Sequence, residues 1–170
     1  MKKASKNIEN FYFNNEYIDK NPGLHQEDSK WKFSVIYPAI DKFVNKLDKR
    51  TLNILDVGGG SGQLMKLICL YISDKYGLKV NKYALDLSPG MLASQKRENE
   101  NLKAALCGNI CQAPFKTKKM DLTLMIDILE HVVRFRLSKN RLVSPWCFGS
   151  APETSQGVYP GGPFQALYCP

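Results

Sequence analysis

The run Asp56-Val-Gly58-Gly-Gly60-Ser-Gly62 joins a short apolar segment, Asn53-Ile-Leu-Asp-Val57, to a helical pattern. Glycines in such a turn let the backbone bend sharply and come close to a ligand. A helix N-terminus just beyond it presents unbonded N–H groups and a partial positive charge, which suits a carboxylate or a phosphate. The dinucleotide spacing G-x-G-x-x-G fails here, because from Gly58 and Gly60 its third glycine would fall on Gln63. An acid, Asp56, also stands just before the glycines, at the carboxyl end of the strand, where a dinucleotide site would hold an apolar residue. A second acid, Asp86, ends the segment Lys82-Tyr-Ala-Leu-Asp86. A carboxylate at that place can accept two hydrogen bonds from a ribose diol. By itself it could equally be an Asp closing a strand ahead of the Ser88-Pro89 turn, and the glycine run upstream favours the ribose role.

These residues need a scaffold, and residues 51–133 supply one in pattern. Leu64, Leu67, Ile68, Tyr71 and Ile72 fall on one helical face, with Gly77 placed to cap it. Ser88 is an N-cap with Pro89 at the first helical position, opening a helix to about Glu98. Ala104 to Cys107 and Asp121 to Ile126 read as third and fourth strands. Strands joined by helical crossovers imply a doubly wound, mainly parallel α/β sheet of Rossmann-like type. In residues 1–50, Trp31, Val35, Ile36, Ile40, Phe43, Val44 and Leu47 form a helical stripe that Pro38 interrupts, so a kink or two shorter helices are expected. That N-terminal segment is either packed on one sheet face or a lid over the ligand.

The bulk numbers bound the function. The chain has 170 residues, 44% hydrophobic and 24% charged, which excludes a disordered, collagen-like or polytopic membrane protein. The net charge of +8 comes from well-mixed signs, with short cationic stretches at Lys2-Lys3, Lys116 to Lys119 and Arg134 to Arg141. Such mixing reads as solubility ahead of a nucleic-acid footprint. The 5 cysteines lack the spacing of a zinc site or a disulfide framework, so reduced thiols, no metal and a cytoplasmic setting are expected. No apolar stretch follows Met1-Lys2-Lys3, and Leu67 to Ile72 is too short to cross a bilayer.

The segments Ile54-Leu-Asp-Val-Gly-Gly-Gly-Ser-Gly-Gln-Leu64 and Ala84-Leu-Asp-Leu-Ser-Pro-Gly-Met-Leu92 resemble the first two motifs of the class I S-adenosylmethionine-dependent methyltransferases. Cys107-Gly-Asn-Ile110 with Ala113-Pro-Phe115 is similar to the family's stretch after strand three, and Asp121 to Val132 to its fourth strand and following helix. Asn21 to Lys32 resembles the N-terminal region of some bacterial members. The resemblance implies S-adenosylmethionine as cofactor and methyl transfer as activity. It places Gly58, Gly60 and Gly62 against the methionine part, with Asp56 near its amino group. Asp86 would hold the ribose hydroxyls, Leu87 would lie on the adenine, and Asn109 and Ile110 would meet the adenine edge. The family usually has Asp where Asn109 stands, so this contact would be uncharged. Asp127 falls at the mouth of strand four, near the expected methyl position, with Glu130 and His131 on the next turn. Asp127 and His131 are the catalytic candidates; for His131 and for His25 a packing or surface role is the simpler reading. Trp31 and Lys32 either line the site or are a packed ring beside a solvated cation.

The resemblance covers residues 20 to 133. The family sheet has seven strands, of which four are legible. Residues 134–170 hold 5 of the 9 prolines, and from Leu142 onward their only charge is Glu153. They read as an irregular tail of out-of-frame or read-through sequence, after a domain cut near Val133. Strand four is then expected to be an open apolar edge, prone to aggregation unless a partner chain completes the sheet. The acceptor is expected to be a small molecule; a non-catalytic cofactor-binding module or partner subunit and an RNA methyltransferase are the alternatives.

Overall fold

A computed structural model of the chain describes residues 10–23, 26–110 and 119–128, and the backbone of 146–150 and 164–168. The helices are α1 (Glu16–Lys20), α2 (Ser29–Val44), α3 (Gln63–Tyr76) and α4 (Pro89–Glu98). The strands are β1 (Thr51–Val57), β2 (Lys79–Asp86), β3 (Leu102–Cys107), β4 (Leu122–Met125), β5 (Trp146–Ser150) and β6 (Phe164–Tyr168).

Strand β1 alternates Leu52 and Ile54 toward one face with Leu55 and Val57 toward the other, so it must be covered on both sides. Leu52 and Ile54 pack with α2, α3 and β4 through Ile36, Ile40, Phe43, Met65, Ile68, Ile72, Leu122 and Leu124. Leu55 and Val57 join Leu85, Met120 and Met125 on the opposite face. The sheet order is β3-β2-β1-β4-β5-β6. Strands β3, β2, β1 and β4 run parallel, the core that the crossover pattern implies. The chain winds outward from β1 to β3 and then returns to the other side of β1 with β4. The carboxyl ends of β1 and β4 therefore flank a topological switch point, where such sheets bind ligands.

Local chemistry accounts for the helix ends. The Ser88 side chain accepts from Met91 N–H, and Pro89 occupies the first turn of α4. Gly77 ends α3 in the left-handed region, with its N–H on the Ser73 carbonyl. The buried face of α3 adds Met65 and Cys69 to Ile68 and Ile72, slightly turned from the stripe read in sequence.

Three expectations are corrected: that Pro38 splits the helix, that Trp31 and Val35 lie on its buried face, and that the tail lacks strands. Pro38 does not divide α2, which runs unbroken from Ser29 to Val44. Pro38 lies on the exposed side, while Ile36 and Ile40 anchor both halves in the core. Trp31 and Val35, assigned to the apolar stripe, face outward. The tail is not without strands either. β5 pairs parallel with β4, and β6 pairs antiparallel with β5. The outer edge of β4 is thus occupied rather than open. All four residues of β4 are buried, and so apolar an edge recruits backbone partners even from short segments. Six strands are described, one fewer than the resemblance implies.

Candidate functional site

The turn after β1 is set by backbone geometry. Gly58, Gly60 and Gly62 have φ of +62°, +55° and +82°, which side-chain-bearing residues rarely adopt. Gly58 N–H donates to the Leu85 carbonyl at 2.8 Å, tying the elbow to β2, and Gly62 N–H donates to the Gly59 carbonyl at 2.9 Å. No side chain caps α3 through its N-cap residue, Gly62; Ser61 Oγ accepts from Gln63 N–H at 3.3 Å.

Asp56 lies beneath this elbow, 5% exposed. Its Oδ2 has no hydrogen-bond partner among the described residues. Burial, with a smaller contribution from the charge of Asp86, pushes its carboxyl up to about 7. Asp56 pairs in register with Ala84, so Asp86, two residues further along β2, stands on the same face. Asp86 accepts from Ser88 N–H at 2.9 Å. Burial raises it to about 6, against the pull of the Ser88 and Leu87 N–H groups. Leu87, Asn109 and Ile110 are half-buried at the ends of β2 and β3, and Gly108 N–H donates to the Asp86 carbonyl at 2.9 Å. The two acids, the glycines and the proposed adenine residues thus gather at the carboxyl ends of β1 to β3.

The N-terminal segment reaches the same end of the sheet. Asn15, at φ +63°, accepts from Ser88 Oγ at 3.1 Å and from Gly90 N–H at 3.2 Å. Tyr17 is raised mainly by burial, which Lys32 opposes and the charges of Asp86 and Asp127 reinforce. Tyr17 of α1 is thus within electrostatic reach of both Asp86 and Asp127. Asp127, at φ +52°, forms an ion pair with Lys32 of α2 at 2.7 Å. Lys32 therefore reaches the crevice, whereas Trp31 is exposed. His25, Glu130 and His131 lie outside the described residues. Among the described residues no group of His, Cys, Asp and Glu is placed to hold a metal ion, and no helix is long and apolar enough to cross a membrane.

Sequence reasoning missed Gly59, Asn15 and Tyr17. Gly59 carried a signal as the middle member of a glycine run. Asn15 and Tyr17 carried none, since their places follow from how the segment folds back.

The residues fit a cofactor with a cationic amino group, a ribose diol and a flat base. A buried carboxylate oxygen lacks a donor, a glycine cradle leaves room for close approach, and a second acid stands one strand over. The fold is that of the class I S-adenosylmethionine-dependent methyltransferases, whose cofactor is S-adenosylmethionine. The chain belongs to the methyltransferase domain family, whose model matches residues 55–142. It is similar in structure to a SAM-dependent methyltransferase from Aquifex aeolicus, at 18% identity and a TM-score of 0.54, covering 82% of this chain and 78% of that one. The PH0226 protein from Pyrococcus horikoshii is similar at 17% identity and a TM-score of 0.52, covering 79% of this chain and 66% of that one. A chain of the complex between the Trm112 methyltransferase activator and a methyltransferase of Haloferax volcanii matches at 14% identity and a TM-score of 0.50, over 72% of this chain. The chain spans 66% and 55% of the length of the last two structures. No curated protein matches it in sequence.

Proposed function

We propose that this chain binds S-adenosylmethionine and directs methyl transfer to a small-molecule acceptor, in the cytoplasm. The observation that carries the reading is the pair of buried acids, Asp56 and Asp86, on one face of neighbouring strands next to the glycine elbow. When bound, the cofactor supplies an electrophilic methyl group on a sulfonium. Asp86 would accept from the ribose hydroxyls. Asp56, with the backbone at Gly58, Gly60 and Gly62, would receive the amino-acid end. Leu87 would lie on the adenine, Ile110 would meet its edge, and the Asn109 side-chain oxygen would accept from its amino group. The N-terminal segment acts as the lid: Asn15 seats it on the turn after β2, and Lys32 ties it to Asp127.

Positioning supplies much of the rate in such a displacement, and a base is needed only when the acceptor carries a proton at attack. Asp127, paired with Lys32, and His131 are the catalytic candidates. Titration calorimetry with S-adenosylhomocysteine tests the pocket. Binding by the native chain that is abolished in Asp86→Ala and weakened in Asp56→Ala is expected; no binding by the native chain refutes the reading.

The complex of a similar methyltransferase structure with the Trm112 activator favours one second reading, a cofactor-binding part that works with a partner chain. It predicts cofactor binding without methyl transfer to any acceptor until that chain is added.

A further inference from the structure

The inner side of α4 carries two buried amides that the proposed function does not use. Gln95 is 0% and Asn99 1% exposed. Asn99 Nδ2 donates to the Gly62 carbonyl at 2.8 Å, across a separation of 37 residues. The same carbonyl accepts the opening hydrogen bond of α3, from Lys66 N–H at 3.1 Å. The approach is close enough to require glycine. A Cβ on Gly62 would stand 2.7 Å from Asn99 Nδ2 and 3.1 Å from the Gln95 Cα.

Asn99 is the C-cap residue of α4, but that helix end is closed by its backbone N–H on the Gln95 carbonyl at 2.9 Å. The side chain is directed at the elbow instead. Its Oδ1 and both amide atoms of Gln95 are buried without a hydrogen-bond partner among the described residues. Burying amides in this way is costly, and an apolar residue would fill the place more cheaply. Helix α4 is also the rigid link between the two halves of the site: it starts at the Ser88 turn beside Asp86 and ends at Asn99 beside Gly62.

We propose that Asn99 is a positioning residue for the amino-acid end of the cofactor, holding the Gly62 peptide so that the elbow and the first turn of α3 present their N–H groups in a fixed direction. The proposal rests on the reading of the site as an S-adenosylmethionine pocket. It predicts an effect confined to one half of the ligand. S-adenosylhomocysteine carries the amino-acid end and 5′-methylthioadenosine does not, while both carry the ribose and adenine.

The test is calorimetry of both ligands on the native chain, Asn99→Ala and Asn99→Asp, with amide hydrogen exchange of residues 60–66 in the unliganded chains. Asn99→Asp keeps the shape but replaces the donor by an oxygen, so it covers a failure of Asn99→Ala to fold. Expected is a loss of about tenfold for S-adenosylhomocysteine, the scale of one hydrogen bond, with 5′-methylthioadenosine held within about twofold and faster exchange at the elbow. Equal loss of both ligands, or no change in either, overturns the proposal. A native chain that binds neither ligand refutes the pocket reading instead; the tether at Gly62 is then decided by exchange, and unchanged exchange in both variants overturns it.

Discussion

The carboxylate of Asp56 fills the space that a side chain on Gly59 would need. The glycine at position 59 is therefore demanded by the acid three residues earlier, not by its own backbone angle. Gly59→Ala is expected to displace Asp56, destabilising the chain by roughly 1–3 kcal/mol as an overpacked core position and weakening S-adenosylhomocysteine. Gly77→Ala is the control. Nothing lies near its Cβ, and only its φ of +64° opposes the change, so it should cost about 1–2 kcal/mol and leave binding intact. Urea melts and calorimetry on both variants check this.

Asp56 gives stability a direction in pH. Its carboxyl is raised from 3.8 to about 7 in the folded chain. Between those values the folded state keeps a proton that the unfolded state has released, so stability falls as pH rises through this window and is level above it. Asp86, raised to about 6, acts in the same sense. Asp56→Asn should remove most of the fall, gaining up to about 4 kcal/mol above pH 7 and little at pH 4. Urea melts of unliganded chains at pH 4, 6 and 8 measure it.

The same acid predicts a proton count. A cationic amino group placed near Asp56 lowers its carboxyl again. Binding of S-adenosylhomocysteine near pH 6.5 should therefore release a proton. Titrations in buffers of different ionisation enthalpy should give different apparent heats for the native chain and equal heats for Asp56→Asn.

Asp41 works in the opposite sense. Its carboxylate accepts from Lys75 Nζ at 2.8 Å, Tyr76 Oη at 2.6 Å and Tyr71 Oη at 2.7 Å. These bonds lower it from 3.8 to about 2. The stability they add is present above about pH 4 and is lost as pH falls toward 2. Asp41→Asn should make the melt less sensitive to acid in that window alone.

Gly90 tests the lid. A Cβ there would overlap Ile18 and Asn15, so Gly90→Ala should lift α1 from the turn while Asp86 keeps its bond from Ser88 N–H. Faster tryptic cleavage after Lys20 is expected, with weaker binding of S-adenosylhomocysteine and an unchanged urea midpoint for the rest of the domain.

Much of this was legible in sequence because the signals are local. Ser88 and Pro89 announce α4, Gly77 ends α3, and the apolar alternation of β1 marks a strand covered on both faces. Asp56 and Asp86 were readable because each ends a strand next to a turn. The rest depends on long-range contacts. Asn15 meets Ser88 and Gly90 only after the N-terminal segment folds back, and Asn99 reaches Gly62 only once α4 lies beside α3. Pro38 does not split α2 because propensity is outweighed by packing: the helix is anchored on both sides of it, at a cost of about 3 kcal/mol for an interior proline. Strands β5 and β6 were missed because their brief apolar runs are surrounded by proline and glycine, and the strand that recruits β5 lies elsewhere in the chain.

Strand β4 touches β1 on one side and β5 on the other. As the ribosome extrudes the polypeptide, the first three strands and their crossover helices emerge able to zip together. The neighbour of β4 is translated only later. A nascent molecule thus passes through an interval with one greasy flank unzipped, in which a chaperone, or another unfinished copy, competes for the berth that β5 will take.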